Sequence, residues 1–183
     1  MMNIPNALDP VVSTKTAFGE GIQDVILFRG ETTLVVAPFN VAKVARYLRD
    51  TNGLIYNFLS DISAVDYWEP TGGISGRPAR FGVSYHFYSM LYNRRLRLKA
   101  FVDEDEPVVP TLTTIWPAAN WLEREIADMM GIKFEGHPDP RRLLMPDDWN
   151  GHPHRRDYPL GYETIQFSFN AEEILKHKPF ARE

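Results

Sequence analysis

Alternation of apolar and polar residues predicts five β-strands before residue 103. Runs rich in branched residues at 25–28 (VILF) and 32–36 (TTLVV) flank Arg29, Gly30 and Glu31, and two such runs around a glycine turn predict a β-hairpin. Three later sets of apolar side chains each keep one parity, which places each set on one face of a pleated strand. The sets are Leu54, Tyr56, Phe58, Ile62 and Ala64; Phe81, Val83, Tyr85 and Phe87; and Leu96, Leu98, Ala100 and Val102.

Two segments instead show the spacing of an amphipathic helix. Residues 40–50 form the first, with Asn40 at the N-cap position. The second opens at Pro117 and ends before Gly131, a residue suited to the left-handed conformation that closes helices. Residues 1–24 predict only a short helix or an irregular lead-in. The apolar stripes are Val41, Val44, Ala45 and Leu48 in the first helix, and Leu122, Ile126, Met129 and Met130 in the second.

The order of these elements is ββαβββα, with a tight turn predicted at Asn93 and Arg94. It predicts an α+β domain of two layers, in which a mixed, mostly antiparallel sheet is packed by helices. We divide the chain into the α+β domain with its lead-in (residues 1–131), an irregular segment rich in Pro, His and Arg (132–160) and an extended C-terminal tail that binds a partner (161–183).

Composition narrows the possible chemistry. The 183 residues suffice for a single domain with a buried core. The absence of cysteine excludes disulfides, thiol nucleophiles and Cys-ligated zinc or iron–sulfur clusters. A net charge of −4 argues against a nucleic-acid binder. No apolar run approaches the ~20 residues that a membrane-spanning helix needs, and no targeting segment is visible, so we expect no direct membrane insertion.

Three interpretations of residues 132–160 stay open on residue chemistry alone. Its His and Asp side chains could bind a metal, although neither HPD nor HPH is a strong ligand pattern. Its arginine pairs, 141–142 and 155–156, suit a carboxylate or a phosphate. Arg, Trp, Tyr and Met in a proline-stiffened segment are typical of protein interfaces, which composition favours modestly. The candidate metal ligands are His137, Asp139, His152, His154 and Asp157.

Acidic residues on the second predicted helix allow two interpretations. Glu125 and Asp128 are three residues apart, and a carboxylate pair on one helix face can perform acid–base chemistry. However, Arg124 separates Glu123 from Glu125, and no nucleophile is marked nearby. We therefore favour ion pairs between this helix and the arginines that follow it.

A long motif covers this region. From Trp121 to Leu160 the sequence reads WLEREIADMMGIKFEGHPDPRRLLMPDDWNGHPHRRDYPL. It closely resembles the signature of the thirty-kilodalton subunit of respiratory complex I, the C subunit of bacterial NADH–quinone oxidoreductase. The family pattern contains ERE, two residues, DM, then GIxFxGHPD, RRLL and GHPxRxDYP. His154 departs from it, because the family commonly has an apolar residue there, and this weakens the metal interpretation. We call residues 132–160 the signature segment.

The resemblance implies a cofactor-free accessory subunit in the hydrophilic arm of the complex. Its partners would be the large quinone-site subunit and the iron–sulfur subunits, while FMN, the iron–sulfur clusters and quinone belong to other subunits. The isolated chain would be non-catalytic, with catalytic, cofactor-binding and metal residues all absent. It would lie on the cytoplasmic side of the bacterial plasma membrane, touching the membrane only through the complex. Since the sequence ends at Glu183, we expect a form not fused to the neighbouring subunit.

Signature and tail residues are the expected partner interface. The tail, residues 161–183, has apolar side chains and no further domain to bury them. The expected interface residues are Glu123, Arg124, Glu125, Asp128, His137, Asp139, Arg141, Arg142, Trp149, His152, Arg155, Arg156, Asp157, Tyr158, Tyr162, Phe167 and Phe169.

Two alternatives remain. Related subunits serve ferredoxin-driven, coenzyme-F420-linked and hydrogenase-type membrane complexes, and the clear GHPxRxDYP pattern favours the NADH–quinone type. The other alternative is a free-standing metal-dependent enzyme that uses His137, Asp139, His152 and His154.

Overall fold

The structure, a computed structural model, describes residues 6–158. Three α-helices and seven β-strands follow one another along this part of the chain. They are α1 (Pro10–Phe18), β1 (Ile22–Phe28), β2 (Glu31–Val36), α2 (Val41–Asp50), β3 (Phe58–Asp66), β4 (Phe81–Ser89), β5 (Arg94–Val102), β6 (Val108–Pro110), α3 (Ala119–Met130) and β7 (Lys133–Glu135). Short 3-10 turns, Gly19–Gly21 and Pro38–Asn40, precede β1 and α2.

One sheet contains strands β1 to β5 in the order β1-β2-β5-β4-β3. Its neighbours are antiparallel except where residues 33–35 of β2 pair in parallel with residues 97–99 of β5. The predicted α+β class with a mixed, mostly antiparallel sheet is therefore confirmed. A second, parallel pair of β6 and β7 was not predicted. It makes residues 133–135 of the signature segment a strand, so that segment is not irregular throughout.

The core lies between one face of the large sheet and helices α2 and α3. The alternating apolar residues predicted for β4 and β5 all point into this core, as do the four predicted residues of α2. Ile126 and Met130 of α3 pack in the same cluster. Asn40 occupies the N-cap position of α2, but its side chain makes no capping hydrogen bond.

The single apolar parity predicted for residues 54–64 is wrong. Leu54 and Tyr56 are buried but precede β3, and Phe58 is half exposed. The register of β3 against β4 shifts between Leu59 and Asp61, so a bulge there exchanges the two faces. Consequently Leu59 before the bulge and Ile62 after it are the buried apolar residues of β3.

The turns also refine the prediction. The β1–β2 hairpin turns at Arg29 and Gly30, both with positive φ, as a two-residue turn that matches strand twist requires. The tight turn predicted at residues 93–94 lies slightly earlier, because residues 90–93 connect the strands and Arg94 begins β5. Helix α3 begins at Ala119, two residues after Pro117.

The three helices are short, with 9, 10 and 12 residues in α1, α2 and α3. Within residues 6–158, none of them has the length and hydrophobicity required to span a bilayer.

Candidate functional site

The signature segment folds back onto the C-terminal end of α3. The last carbonyl groups of a helix have no hydrogen-bond donors within the helix. In this chain the signature segment supplies the donors. His152 Nδ1 lies 2.8 Å from the carbonyl oxygen of Asp128, and the amide of His154 donates to the carbonyl of Met129 at 2.9 Å. Arg155 Nε donates to the carbonyl of Met130 at 2.8 Å. Because a carbonyl only accepts, His152 carries a proton on Nδ1.

Gly131 makes this close return possible. It ends α3 in the left-handed conformation, with φ of 74°. A Cβ atom at this position would lie 2.6 Å from the ring of His152 and 2.7 Å from Arg155 Nη2. The position therefore requires glycine for its backbone conformation and for the space it leaves.

Asp128 anchors the middle of the segment. Its fully buried carboxylate accepts hydrogen bonds from three consecutive backbone amides, those of residues 143–145, at 2.7 to 2.9 Å. Its other oxygen lies 2.6 Å from Arg142 Nη1. Burial alone would raise the pKa of Asp128, but these hydrogen bonds outweigh it and hold the pKa below its usual value. The predicted ion pair between α3 and a following arginine is present here.

Two arginines bind backbone carbonyl groups within the segment. Arg142 Nη2 donates to the carbonyls of Trp149 and Gly151 at 2.9 and 3.2 Å. Arg124 on α3 donates to the carbonyls of Arg141 and Arg142 at 3.1 and 3.0 Å. These guanidinium groups therefore fix the course of an otherwise irregular chain.

Glu123, a second acidic residue of α3, makes no ion pair with an arginine among residues 6–158. Its fully buried carboxyl group contacts the hydroxyl of Thr111 and the amide of Leu112, the latter at 2.7 Å, in the connection between β6 and α3. Burial raises its pKa to about 7, and the two hydrogen bonds only partly offset that effect. Glu125 is exposed while Asp128 is buried, so they form no acid–base pair in a common environment.

His137 follows β7 in the signature segment and is held by the backbone on both ring nitrogens. Its Nδ1 accepts from the amide of Asp139 at 3.0 Å, and its Nε2 lies 3.2 Å from the carbonyl of Asn120. The tautomer with the proton on Nε2 satisfies both contacts. Asp139 in turn pairs with Arg141, at 2.7 Å for each of two contacts, and Arg141 is 78% exposed.

The far end of the segment is held by a cluster that the sequence did not reveal. We call Asp66, Arg80, Glu104 and Asp157 the Arg80 cluster. Arg80 binds Asp66 through Nε at 3.1 Å and Nη2 at 2.8 Å, and it also contacts Asp157 at 2.6 Å and Glu104. The amide of Arg156 donates to Asp66 at 2.9 Å. No motif includes Asp66 or Arg80. The one signal that could have indicated them is a charged residue at a position expected to be buried.

Metal and anion binding find no support in this geometry. Within residues 6–158, no three His, Cys, Asp or Glu side chains are grouped so that they could hold a metal ion. Three of the four arginines bind groups of the chain itself. Arg141 pairs with Asp139, Arg142 with Asp128, and Arg155 binds a helix carbonyl and stacks on Phe81 at 5.2 Å.

The other predicted residues are placed as follows. Trp149 is half buried, and its Nε1 has no hydrogen-bond partner among residues 6–158. Tyr158 donates to the carbonyl of Asn150 at 3.3 Å. Three predicted tail residues lie outside the described residues: Tyr162, Phe167 and Phe169. Partner contact by any of the predicted residues stays a prediction.

Comparisons with known proteins agree with the motif. The model of the family described as "Respiratory-chain NADH dehydrogenase, 30 Kd subunit" matches residues 34–164. The C subunit of the NADH-quinone oxidoreductase of Roseiflexus sp. (strain RS-1) is 47% identical over 169 residues, covering 92% of this chain and 93% of that relative. The protein of the same name from Geobacter sulfurreducens is 45% identical over 150 residues, covering 82% and 88%.

A solved structure shares the fold. It is described as "Nqo5 of the trypsin-resistant fragment (1-134) in P63 form", and it is 32% identical with a TM-score of 0.58. The match covers 70% of this chain and 96% of that chain. With its signature segment, its α+β domain and these relatives, the chain belongs to the family of the 30 kDa subunit of respiratory-chain NADH dehydrogenase, complex I.

Proposed function

We propose that the chain is a cofactor-free structural subunit in the hydrophilic arm of a proton-translocating NADH–quinone oxidoreductase. It would support electron transfer from NADH to quinone by holding the quinone-site subunit and neighbouring iron–sulfur subunits. The names of its relatives support this, since they are C subunits of NADH-quinone oxidoreductases. The chain would sit peripherally at the cytoplasmic face of the plasma membrane, through the complex.

The observation that carries this proposal is that side chains of the signature motif bind other groups of the same chain. Asp128, Arg142 and Arg155 bind backbone groups or one another. Groups committed in this way fix a shape and are not poised for proton transfer or nucleophilic attack. The motif therefore suits a rigid binding surface better than an active site.

Burial separates the predicted interface residues into two roles. Glu123 and Asp128 are buried, and we assign them to the scaffold under the surface. Arg141 and Glu125 are exposed, and we assign them to the contact surface together with the tail. Trp121, which was not predicted as an interface residue, is 61% exposed and carries Arg124 stacked 5.4 Å from its ring. Exposed Trp and Arg are typical centres of protein interfaces.

The test is recovery of the tagged full-length chain from native membranes in mild detergent, with protein identification and an iron assay. We expect a large, iron-rich assembly that contains the quinone-site subunit and an NADH-binding subunit. Recovery of this chain alone with a stoichiometric metal would contradict the proposal and support the metal-dependent enzyme.

A truncation tests the role of the tail. Deletion of residues 161–183 should leave thermal unfolding of the chain nearly unchanged while strongly lowering the yield of the assembled complex. If the truncated chain enters the complex at normal yield, the tail does not bind a partner.

A further inference from the structure

We infer that Asp66 and Arg80, which lie outside the signature segment, are positioning residues that place residues 156–158 for partner binding. The inference rests on the proposed function, because it concerns how the end of the signature segment and the tail after it are presented. Assembly of the complex depends on the position of residues 156–158. Asp66 and Arg80 set that position without touching a partner.

The sheet brings the two residues together. Asp66 is the last residue of β3, and Arg80 directly precedes β4. The amide of Tyr67 donates to the carbonyl of Arg80 at 2.8 Å, which closes the long loop between the strands. The side chains are 1% and 4% exposed, so they are inaccessible to another subunit.

Together the pair holds two consecutive residues of the signature segment. Asp66 Oδ2 accepts the amide of Arg156 at 2.9 Å, and Arg80 Nη2 binds the carboxylate of Asp157 at 2.6 Å. One contact is to the backbone and the other to a side chain, so both the path and the orientation of the chain are fixed. These contacts span 90 and 77 residues, which means that no local preference could supply them.

Asp157 offers a variant that releases the chain and keeps the fold. Arg80 faces three carboxylates, those of Asp66, Glu104 and Asp157. If Asp157 is neutralised, the buried guanidinium keeps its pair with Asp66 and is not left without a counterion. Glu104 supplies the matched control, because it contacts the same guanidinium from a loop outside the signature segment.

The experiment compares Asp157→Asn, Asp157→Glu and Glu104→Gln in the full-length chain. Hydrogen exchange of the Arg156 amide in the purified chain reports the position of the segment, and yield of the assembled complex from membranes reports binding. For Asp157→Asn we expect exchange about tenfold faster, as a local loss of about 1.4 kcal/mol would produce, with a several-fold lower yield and an unchanged midpoint of thermal unfolding. Asp157→Glu should restore both readouts, and Glu104→Gln should alter neither.

Three outcomes would overturn the inference. Faster exchange with normal assembly would show that the position does not matter. Reduced assembly with normal exchange would show that Asp157 contacts a partner directly. An effect of Glu104→Gln equal to that of Asp157→Asn would show only a general loss at Arg80. Failure of the proposed function is distinct, because then the unaltered chain would itself recover no complex.

Discussion

The carboxylate of Asp128 lies 2.6 Å from the guanidinium of Arg142, and it is the fully buried member of this pair. Asp128 also accepts three backbone amides, so its removal leaves these partly buried donors and the Arg142 guanidinium without a carboxylate partner. We expect Asp128→Ala to lower the free energy of unfolding by about 3–5 kcal/mol, measured by urea denaturation. Asp139→Ala removes the solvent-exposed pair with Arg141 and should cost much less than Asp128→Ala. Equal effects would contradict the role of burial.

The same carboxylate predicts a dependence on pH. Its pKa is lower in the folded chain than in the unfolded chain, so its stabilisation is present above pH ~4, the unfolded value. That contribution is lost as the pH falls through the folded pKa. The difference in unfolding free energy between the unaltered chain and Asp128→Asn should therefore narrow below pH ~4. A constant difference down to low pH would contradict this assignment.

Glu123 should act in the opposite direction. Its pKa is about 7 in the folded chain and 4.5 is the ordinary value, so the unfolded chain releases this proton first. Below pH ~4.5 the Glu123 carboxyl is neutral in both the folded and the unfolded chain. As the pH rises from there towards 7, the free energy of unfolding falls by about 3 kcal/mol in all. Glu123→Gln should remove this loss, so the variant should gain stability relative to the unaltered chain between pH 5 and 8.

Glu125→Gln is the matched control for that experiment. Glu125 lies on the same helix but is exposed. Chemical denaturation at the same pH values should not reproduce for it the gain expected of Glu123→Gln. If both substitutions give the same profile, burial of Glu123 is not the cause.

Gly131→Ala should damage the return of the signature segment onto α3. An alanine in the left-handed conformation costs about 1–2 kcal/mol, and the clash with His152 and Arg155 adds about 1–3 kcal/mol. Gly30→Ala separates these contributions, because Gly30 has a similar φ of 78° with nothing within 4 Å of an added Cβ. Thermal unfolding of both variants should therefore show the larger loss for Gly131→Ala. Similar losses would mean that backbone strain alone acts.

Tyr85→Phe should be tolerated. The Tyr85 hydroxyl is buried and has no hydrogen-bond partner among residues 6–158, so its removal relieves an unsatisfied group. We expect unchanged stability or a gain of up to about 1 kcal/mol. Tyr47→Phe is the contrast, because that hydroxyl lies 2.8 Å from Ser13 Oγ and its loss should cost about 0.5–1.5 kcal/mol. A clear loss for Tyr85→Phe would indicate that a buried water or another group satisfies this hydroxyl.

Periodicity predicted the parts of the fold in which local pattern and burial agree. Strands β4 and β5 and helix α2 have one buried face, and their apolar spacing shows it. The β3 pattern failed because a bulge is set by pairing with β4 and not by the residues of β3 themselves. The parallel β6–β7 pair was missed because its strands have three residues each, too few to show a period.

The candidate site was predictable as a segment but not as a set of contacts. The motif marked residues 132–160, and an ion pair from α3 to a following arginine is present at Asp128 and Arg142. Which acidic residue of α3 makes that pair was not predictable, because sequence cannot distinguish a carboxylate facing arginine from one, such as Glu123, facing a hydroxyl and an amide. The Arg80 cluster was missed because its members are distant in sequence.

The parallel pairing of β2 with β5 has a consequence for folding during synthesis of the chain. Thr33 pairs with Arg97, 64 residues later, so the β1–β2 hairpin leaves the ribosome with one edge of β2 unpaired. At about 5–20 residues per second, this interval lasts several seconds. Pairing of β2 with β5 is a long-range step, and such steps slow folding. Until β5 is synthesised, the free edge of β2, which lies inside the finished sheet, is open to pairing with other nascent chains.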